Sequence, residues 1–124
     1  ISNTIKSFEI MGSLRKDILV AIGPSISGEK YLLDKKTFYN FLSANNESLS
    51  KVDKIINKYS NINNYSSIPL DIKKYAYLQL LMENIIPNNI DISNKCTFSL
   101  HNEFHSWRRS KSNERQWNVI CSSI

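Results

Sequence analysis

Residues 17–23 are the part of the sequence that most constrains the fold. They read Asp-Ile-Leu-Val-Ala-Ile-Gly, a short run rich in β-forming residues, and Pro24 follows directly. Such a run, closed by Gly-Pro, predicts a strand that leads into a sharp turn. The turn leaves the backbone amides of residues 25–28 exposed, which makes them a candidate site for anions or oxyanions. A plain connecting turn is the alternative.

The rest of the chain divides into helical and extended segments. Apolar spacing predicts three helices: residues 1–11 ending at Gly12, a helix capped by Asp34 and running to Leu42, and the clearest one, from Pro69-Leu70-Asp71 to about Asn84. β-forming residues between turn signals predict further strands at 30–33, 90–93, 96–100, 104–109 and 116–121. This succession predicts an α+β fold, a layered mixed α/β domain.

Residues 43–69 differ from the segments on either side of them. They are polar and rich in Asn and Ser, and nothing in them resembles chemistry. We interpret them as a variable excursion from the domain, with a short helix over residues 52–59.

The composition is that of a single globular domain. The chain has 124 residues, of which 41% are hydrophobic and 22% are charged. No apolar run approaches the ~20 residues that a membrane span needs, so we expect no membrane partner. Two cysteines do not make a disulfide framework, which predicts a cytoplasmic protein.

Candidate metal ligands are few. Cys96, Cys121, His101 and His105 are the only cysteines and histidines, and no Cys-x-x-Cys spacing occurs. We therefore assign no metal ligand to this chain. Cys96 as a nucleophile and His105 as a general base would each need a partner that the sequence does not show, so structural roles are preferred for both.

Positive charge is concentrated near the C-terminus. The net charge is +5, and three of the four arginines lie within residues 108–115. Because an arginine fork matches phosphate bidentately, Arg108 and Arg109 are predicted to contact phosphate or a nucleoside, with structural arginines as the alternative. In an extended segment they face opposite sides of a sheet. One of them would then line a pocket while the other is exposed or structurally paired, and the sequence does not say which.

The same cluster raises a second hypothesis, a small basic module that binds single-stranded nucleic acid. Phe104, Trp107 and Trp117 are interleaved with the arginines and would stack on bases. No known nucleic-acid-binding motif accompanies them, and the aromatic residues also fit a half-buried strand. We therefore do not expect nucleic acid as the partner. A third hypothesis is a non-catalytic regulatory fragment that pairs with another subunit.

Several short motifs, in order, resemble the laccase-domain family. They are Ala-Ile-Gly-Pro-Ser-Ile at 21–26, a helix opened by Leu70-Asp71 with Gln79-Leu80 inside it, Cys96-Thr97, Phe-His-Ser-Trp-Arg-Arg at 104–109, and Arg115. The resemblance covers nearly the whole chain apart from 43–69. One departure is Glu114, which stands where the family has glycine before the late arginine.

The family is also described as multicopper polyphenol oxidase, peptidoglycan editing factor or purine nucleoside phosphorylase. The resemblance implies a single α+β layered domain of about twice this length, and zinc or copper held by a His, a Cys and a second His. It implies phosphorolysis of purine nucleosides, adenosine deamination or hydrolytic editing of a cell-wall precursor. Gly23 and Pro24, with Arg108 and Arg109, are the residues that we predict to contact the substrate.

The family's metal ligands belong to its first half, so the resemblance makes residues 1–124 the C-terminal portion of one such domain. We expect the N-terminal part to be truncated, cleaved or supplied by a second chain, and this chain alone to bind no metal and to be inactive. Purine nucleoside and phosphate, or a cell-wall precursor, are the partners expected for the complete protein.

Overall fold

The computed structural model describes residues 1–44 and 66–121. In chain order its elements are α1 (Ser2–Ile10), β1 (Val20–Ile22), β2 (Leu32–Asp34), α2 (Lys35–Ala44), β3 (Ser67–Pro69), α3 (Ile72–Met82), β4 (Ile90–Ile92) and α4 (Trp107–Ser110). They form an α+β domain, as the sequence predicts. Within the described ranges, every helix is too short or too polar to cross a bilayer. The helix predicted over 52–59 lies outside the described residues.

β1 and β4 form a parallel pair, with Val20 opposite Ile90 and Ile22 opposite Ile92. Parallel strands cannot be joined by a tight turn, so the whole chain between them is a crossover. Two short 3-10 helices, Arg15–Asp17 and Pro87–Asn89, precede the two strands. The first takes up the start of the predicted strand at 17–23, which is therefore shorter than predicted.

Inside the crossover, β2 and β3 form an antiparallel pair in which Leu33 lies opposite Ile68. Asp34 begins α2 as predicted, because its carboxylate accepts the Thr37 amide at 2.8 Å. The buried side chains of this half make the first core: Leu33, Phe38, Leu42, Ile68, Leu70 and Tyr75. Residues 67–69, assigned to the polar excursion from sequence, thus form β3 and supply the fully buried Ile68.

Helix α3 joins the two halves of the domain. Its cap is Asp71, whose carboxylate accepts the Lys74 amide at 3.0 Å. Tyr75 on α3 belongs to the first core, whereas Leu80 belongs to a second core with Ile5 of α1. This second core packs against the parallel pair through Val20, Ile22 and Ile90. The helix therefore fixes the antiparallel pair relative to the parallel pair.

The strands predicted at 96–100, 104–109 and 116–121 are wrong. Cys96 makes one isolated bridge, residues 97–99 form a turn, and residues 107–110 form the single helical turn α4. Extended backbone needs a neighbouring strand for its hydrogen bonds. Side chains and local turns supply the partners at 96–110 instead. At 116–121 the described part of the chain places no strand alongside, and Trp117 is 94% exposed.

Truncating Ile68 will test whether β3 is part of the core. Ile68→Ala is expected to lower the free energy of unfolding by about 2–5 kcal/mol, because it leaves a cavity in the first core. Leu32→Ala is the matched control, since Leu32 is on the paired strand but 47% exposed, and it should cost about 1 kcal/mol. Urea denaturation measures both, and equal losses would contradict the assignment.

Candidate functional site

The carboxyl ends of β1 and β4 meet at one edge of the parallel pair. The pairing continues beyond the strands, because Ser25 bridges to Cys96 and the Thr97 amide donates to the Ser25 carbonyl at 3.1 Å. In open sheets with parallel strands, ligands bind outside the carboxyl ends. Residues 24–31, which we call the Ser27 turn, and residues 96–104, the Cys96 loop, are therefore the two sides of a candidate site.

The Ser27 turn is held against the start of α3. Gly28 is buried there, and a Cβ at this position would come within 3.0 Å of the Cβ of Asp71, the residue that caps α3. Only glycine allows so close an approach of turn and helix. The Leu70 amide also donates to the Tyr31 carbonyl at 2.9 Å, so both the middle and the end of the turn are fixed.

The other side of the site is also fixed by α3. The Lys73 ammonium donates to the carbonyls of Ser93 and Lys95, at 2.7 Å and 3.1 Å. These carbonyls belong to the segment that leads from β4 to Cys96. A single helical turn therefore positions both sides of the candidate site.

The thiol of Cys96 lies between the two sides. The Ser27 amide donates to its sulfur at 3.3 Å, the Ser27 hydroxyl lies 3.4 Å away, and the Ser99 hydroxyl donates at 3.5 Å. Burial raises the pKa of this thiol, but the hydrogen bonds from Ser27 and Ser99 outweigh burial and lower the pKa to about 6. Cys96 is thus mainly a thiolate at neutral pH.

Arg108 and Arg109, predicted to contact substrate, have different surroundings. The Arg108 guanidinium lies 4.9 Å from the centre of the Tyr31 ring and is exposed. Within the described residues it has no carboxylate partner and no hydrogen bond. Its position over Tyr31 places a positive charge beside the Ser27 turn.

Arg109 instead points into the Cys96 loop. Its guanidinium donates to the carbonyls of Thr97, Phe98 and Phe104, each at 2.8 Å. The sequence led us to expect the two arginines on opposite sides of a strand. They lie instead in a helical turn, where their contacts differ. Arg108 is the exposed member of the pair, and Arg109 is structurally bonded.

The other residues singled out from the sequence are Gly23, Pro24 and His105. Gly23 is exposed at the end of β1, and Pro24 begins the Ser27 turn. The His105 Nδ1 lies 3.1 Å from the Glu114 carboxylate, so the residue that departs from the family pattern is the partner of this histidine. Over residues 1–44 and 66–121, no three His, Cys, Asp or Glu side chains come together to hold a metal ion.

Ser27 and Ser99 were not predicted as site residues. Ser99 is three residues from Cys96, and a turn brings residues at this spacing together. Ser99 was therefore the easier of the two to predict from the sequence. Ser27 is 69 residues from Cys96, and only the parallel pairing of β1 with β4 brings them into contact. The sequence offered the amides of this turn as a candidate anion site, and the Ser27 amide instead donates to the Cys96 sulfur.

Alkylation kinetics will test the lowered pKa of Cys96. In a Cys121→Ser background, the rate of reaction with iodoacetamide should rise with a midpoint near pH 6, because the thiol is protonated below and ionised above that pH. Removing both hydroxyl donors with Ser27→Ala and Ser99→Ala should move the midpoint upward. Ser112→Ala, a serine bonded to Glu114 instead, should leave it unchanged. A wild-type midpoint near the ordinary ~8.5 of a free thiol would refute the geometry.

Comparison with known proteins assigns the family. The sequence matches the family described as Multi-copper polyphenol oxidoreductase laccase over residues 1–123. It is also 29% identical to a purine nucleoside phosphorylase of Synechocystis sp., in an alignment of 136 positions. That alignment covers 98% of this chain and 50% of the relative, so the chain spans about half the length of that protein. With the match extending over almost every residue, this chain belongs to the multi-copper polyphenol oxidoreductase laccase family.

Proposed function

We propose that this chain forms one wall of a purine-nucleoside phosphorylase site, in which Arg108 binds phosphate. The observation that carries the proposal is the exposed guanidinium of Arg108, stacked on Tyr31 beside the carboxyl ends of the parallel pair. Its stacking on the ring leaves the N–H edges available, and a planar fork held in place loses little entropy on binding a phosphate. The relative from Synechocystis supports the substrate class.

Phosphorolysis requires what this wall offers. An oxygen of phosphate forms a bond to C1′ of the ribose while the bond from C1′ to the purine nitrogen breaks. The phosphate must therefore be held beside the ribose, with its negative charge balanced. Arg108 supplies this charge, and exposed Gly23 and the following Pro24 leave the adjoining rim without a long side chain.

We further propose that the chain acts as part of a larger domain. The metal implied by the family would be zinc or copper, bound by residues outside this chain, because the His, Cys and His ligands that the resemblance implies belong to the family's first half. The match to half of the phosphorylase relative supports this arrangement. We also propose a cytoplasmic location, supported by the free thiols of Cys96 and Cys121.

The nucleic-acid hypothesis gains no support from the aromatic residues that suggested it. The Lys111 ammonium lies 3.8 Å from the centre of the Trp107 ring, and the Lys95 ammonium lies 5.7 Å from that of Phe104. Each of these cations lies over one face of its ring, where a base would otherwise stack. Trp117 is exposed, but it lies in a segment without helix or strand.

Base release will test whether the chain acts alone. Inosine incubated with phosphate, zinc and residues 1–124 should yield no hypoxanthine, because the chain supplies only one wall. Adenosine with the same additions tests the deaminase activity, and a cell-wall precursor tests the editing activity. Both compounds should remain unchanged. Hypoxanthine released by the purified chain would overturn the partial-site proposal.

Phosphate binding will test Arg108 directly. Ribose 1-phosphate and inorganic phosphate, titrated into the chain, should shift the NMR signals of the Arg108 side chain. Arg108→Met should weaken binding about tenfold or more, since a charge-assisted hydrogen bond contributes about 1.5–3 kcal/mol. Arg115→Met is the matched control, because Arg115 bonds only carbonyls of its own segment. Equal binding by the Arg108→Met and wild-type chains would refute the assignment.

A further inference from the structure

The guanidinium of Arg109 connects both ends of the Cys96 loop. One nitrogen donates to the adjacent carbonyls of Thr97 and Phe98, and the other terminal nitrogen donates to that of Phe104. All three distances are 2.8 Å, at the short end for hydrogen bonds from a charged donor. A single half-buried side chain therefore holds two points of the backbone that are seven residues apart.

The loop has few other hydrogen bonds to define its shape. Its internal backbone bonds all involve Leu100, whose amide donates to the Cys96 carbonyl and whose carbonyl accepts the amides of Glu103 and Phe104. The carbonyls that Arg109 binds take no part in these bonds. Because Thr97 is buried, its carbonyl would be left without a partner if Arg109 were lost. Arg109 is thus the group that closes this loop.

Closure of the loop determines where the Cys96 sulfur lies. Cys96 directly precedes the bound carbonyl of Thr97, and Ser99, which donates to the sulfur at 3.5 Å, directly follows that of Phe98. The Thr97 amide in turn donates to Ser25, which keeps the loop against the Ser27 turn. Cys96 and Ser99 are therefore attached to backbone that Arg109 immobilises, whereas Ser27 belongs to the turn against which this loop is kept.

We propose that Arg109 is a positioning residue that holds the Cys96 thiol between Ser27 and Ser99 and does not itself bind substrate. This role divides the Arg-Arg pair, with Arg108 facing ligand and Arg109 facing the loop. The proposal rests on the proposed function only in treating this edge of the sheet as the substrate site. The contacts from Arg109 to the thiol are independent of the reaction.

The charged groups near the thiol do not offer another explanation for its environment. Lys95, which precedes Cys96, directs its ammonium to the Glu103 carboxylate, and Lys73 directs its own to backbone carbonyls. Among residues 1–44 and 66–121, the Cys96 sulfur shares hydrogen bonds with Ser27 and Ser99 only. Disturbing the loop should therefore act on Cys96 through loss of these bonds.

The pH profile of Cys96 alkylation tests the proposal in the Cys121→Ser chain. Arg109→Met should raise the midpoint by at least about one pH unit above the wild-type value near 6, because the released loop withdraws hydrogen bonds from the thiolate. Arg109→Lys should raise it less, since an ammonium reaches one or two of the three carbonyls. Arg115→Met should leave it unchanged.

Far-UV circular dichroism establishes which variants are folded. A folded Arg109→Met chain whose midpoint stays near pH 6 would overturn the proposal. If Arg109→Met does not fold, Arg109→Lys decides, and a wild-type midpoint in that variant would overturn it equally. Phosphate binding at Arg108 is measured separately. If the proposed function fails while this inference holds, Arg108→Met binds phosphate as well as the wild-type chain, and Arg109→Met still raises the alkylation midpoint.

Discussion

The parallel pairing of β1 with β4 is the contact on which the candidate site depends. Each strand has only three residues, and parallel pairing obliges the chain to leave one strand and return to the other through a long crossover. That crossover contains the first core and helix α3, which packs the pair from one side. Because both strands run the same way, the segments after them emerge at one edge. Ser27 and Cys96 meet there although they are distant in sequence.

Local signals predicted those parts of the fold that are locally determined. Asp34 caps its helix where the sequence placed it, because a carboxylate two to three residues before a free amide binds it regardless of the rest of the fold. Asp71, which the sequence placed in the first turn of its helix, is the residue that caps α3. The prediction of C-terminal strands was wrong, because alternating apolar and polar residues also fit turns that are held by a side chain. The spacing of residues does not reveal that Arg109 is this side chain. Arg108 was singled out by its chemistry, and its contact with substrate stays a prediction. Ser27 was not, because its partner comes from another part of the chain.

The anion expected at the Ser27 turn is provided by the protein itself. The Ser27 amide donates its hydrogen bond to the Cys96 sulfur, so this amide is not free to bind a phosphate. The positive charge beside it belongs to Arg108, which is held on Tyr31 at the far end of the same turn. One short turn thus separates a negative group from a positive one. This polarity distinguishes the two ends of any ligand that binds across it.

Helix α3 has a mechanical consequence for the edge of the sheet. Its first turn is attached to the Ser27 turn through Gly28 and Asp71, and to the approach to Cys96 through Lys73. Both attachments are made by the same rigid helix, so a displacement of α3 would move the two sides of the site in the same direction. The width of the opening would then be preserved while its position relative to a neighbouring surface changed. The width of this opening would then change only if the Cys96 loop itself moved.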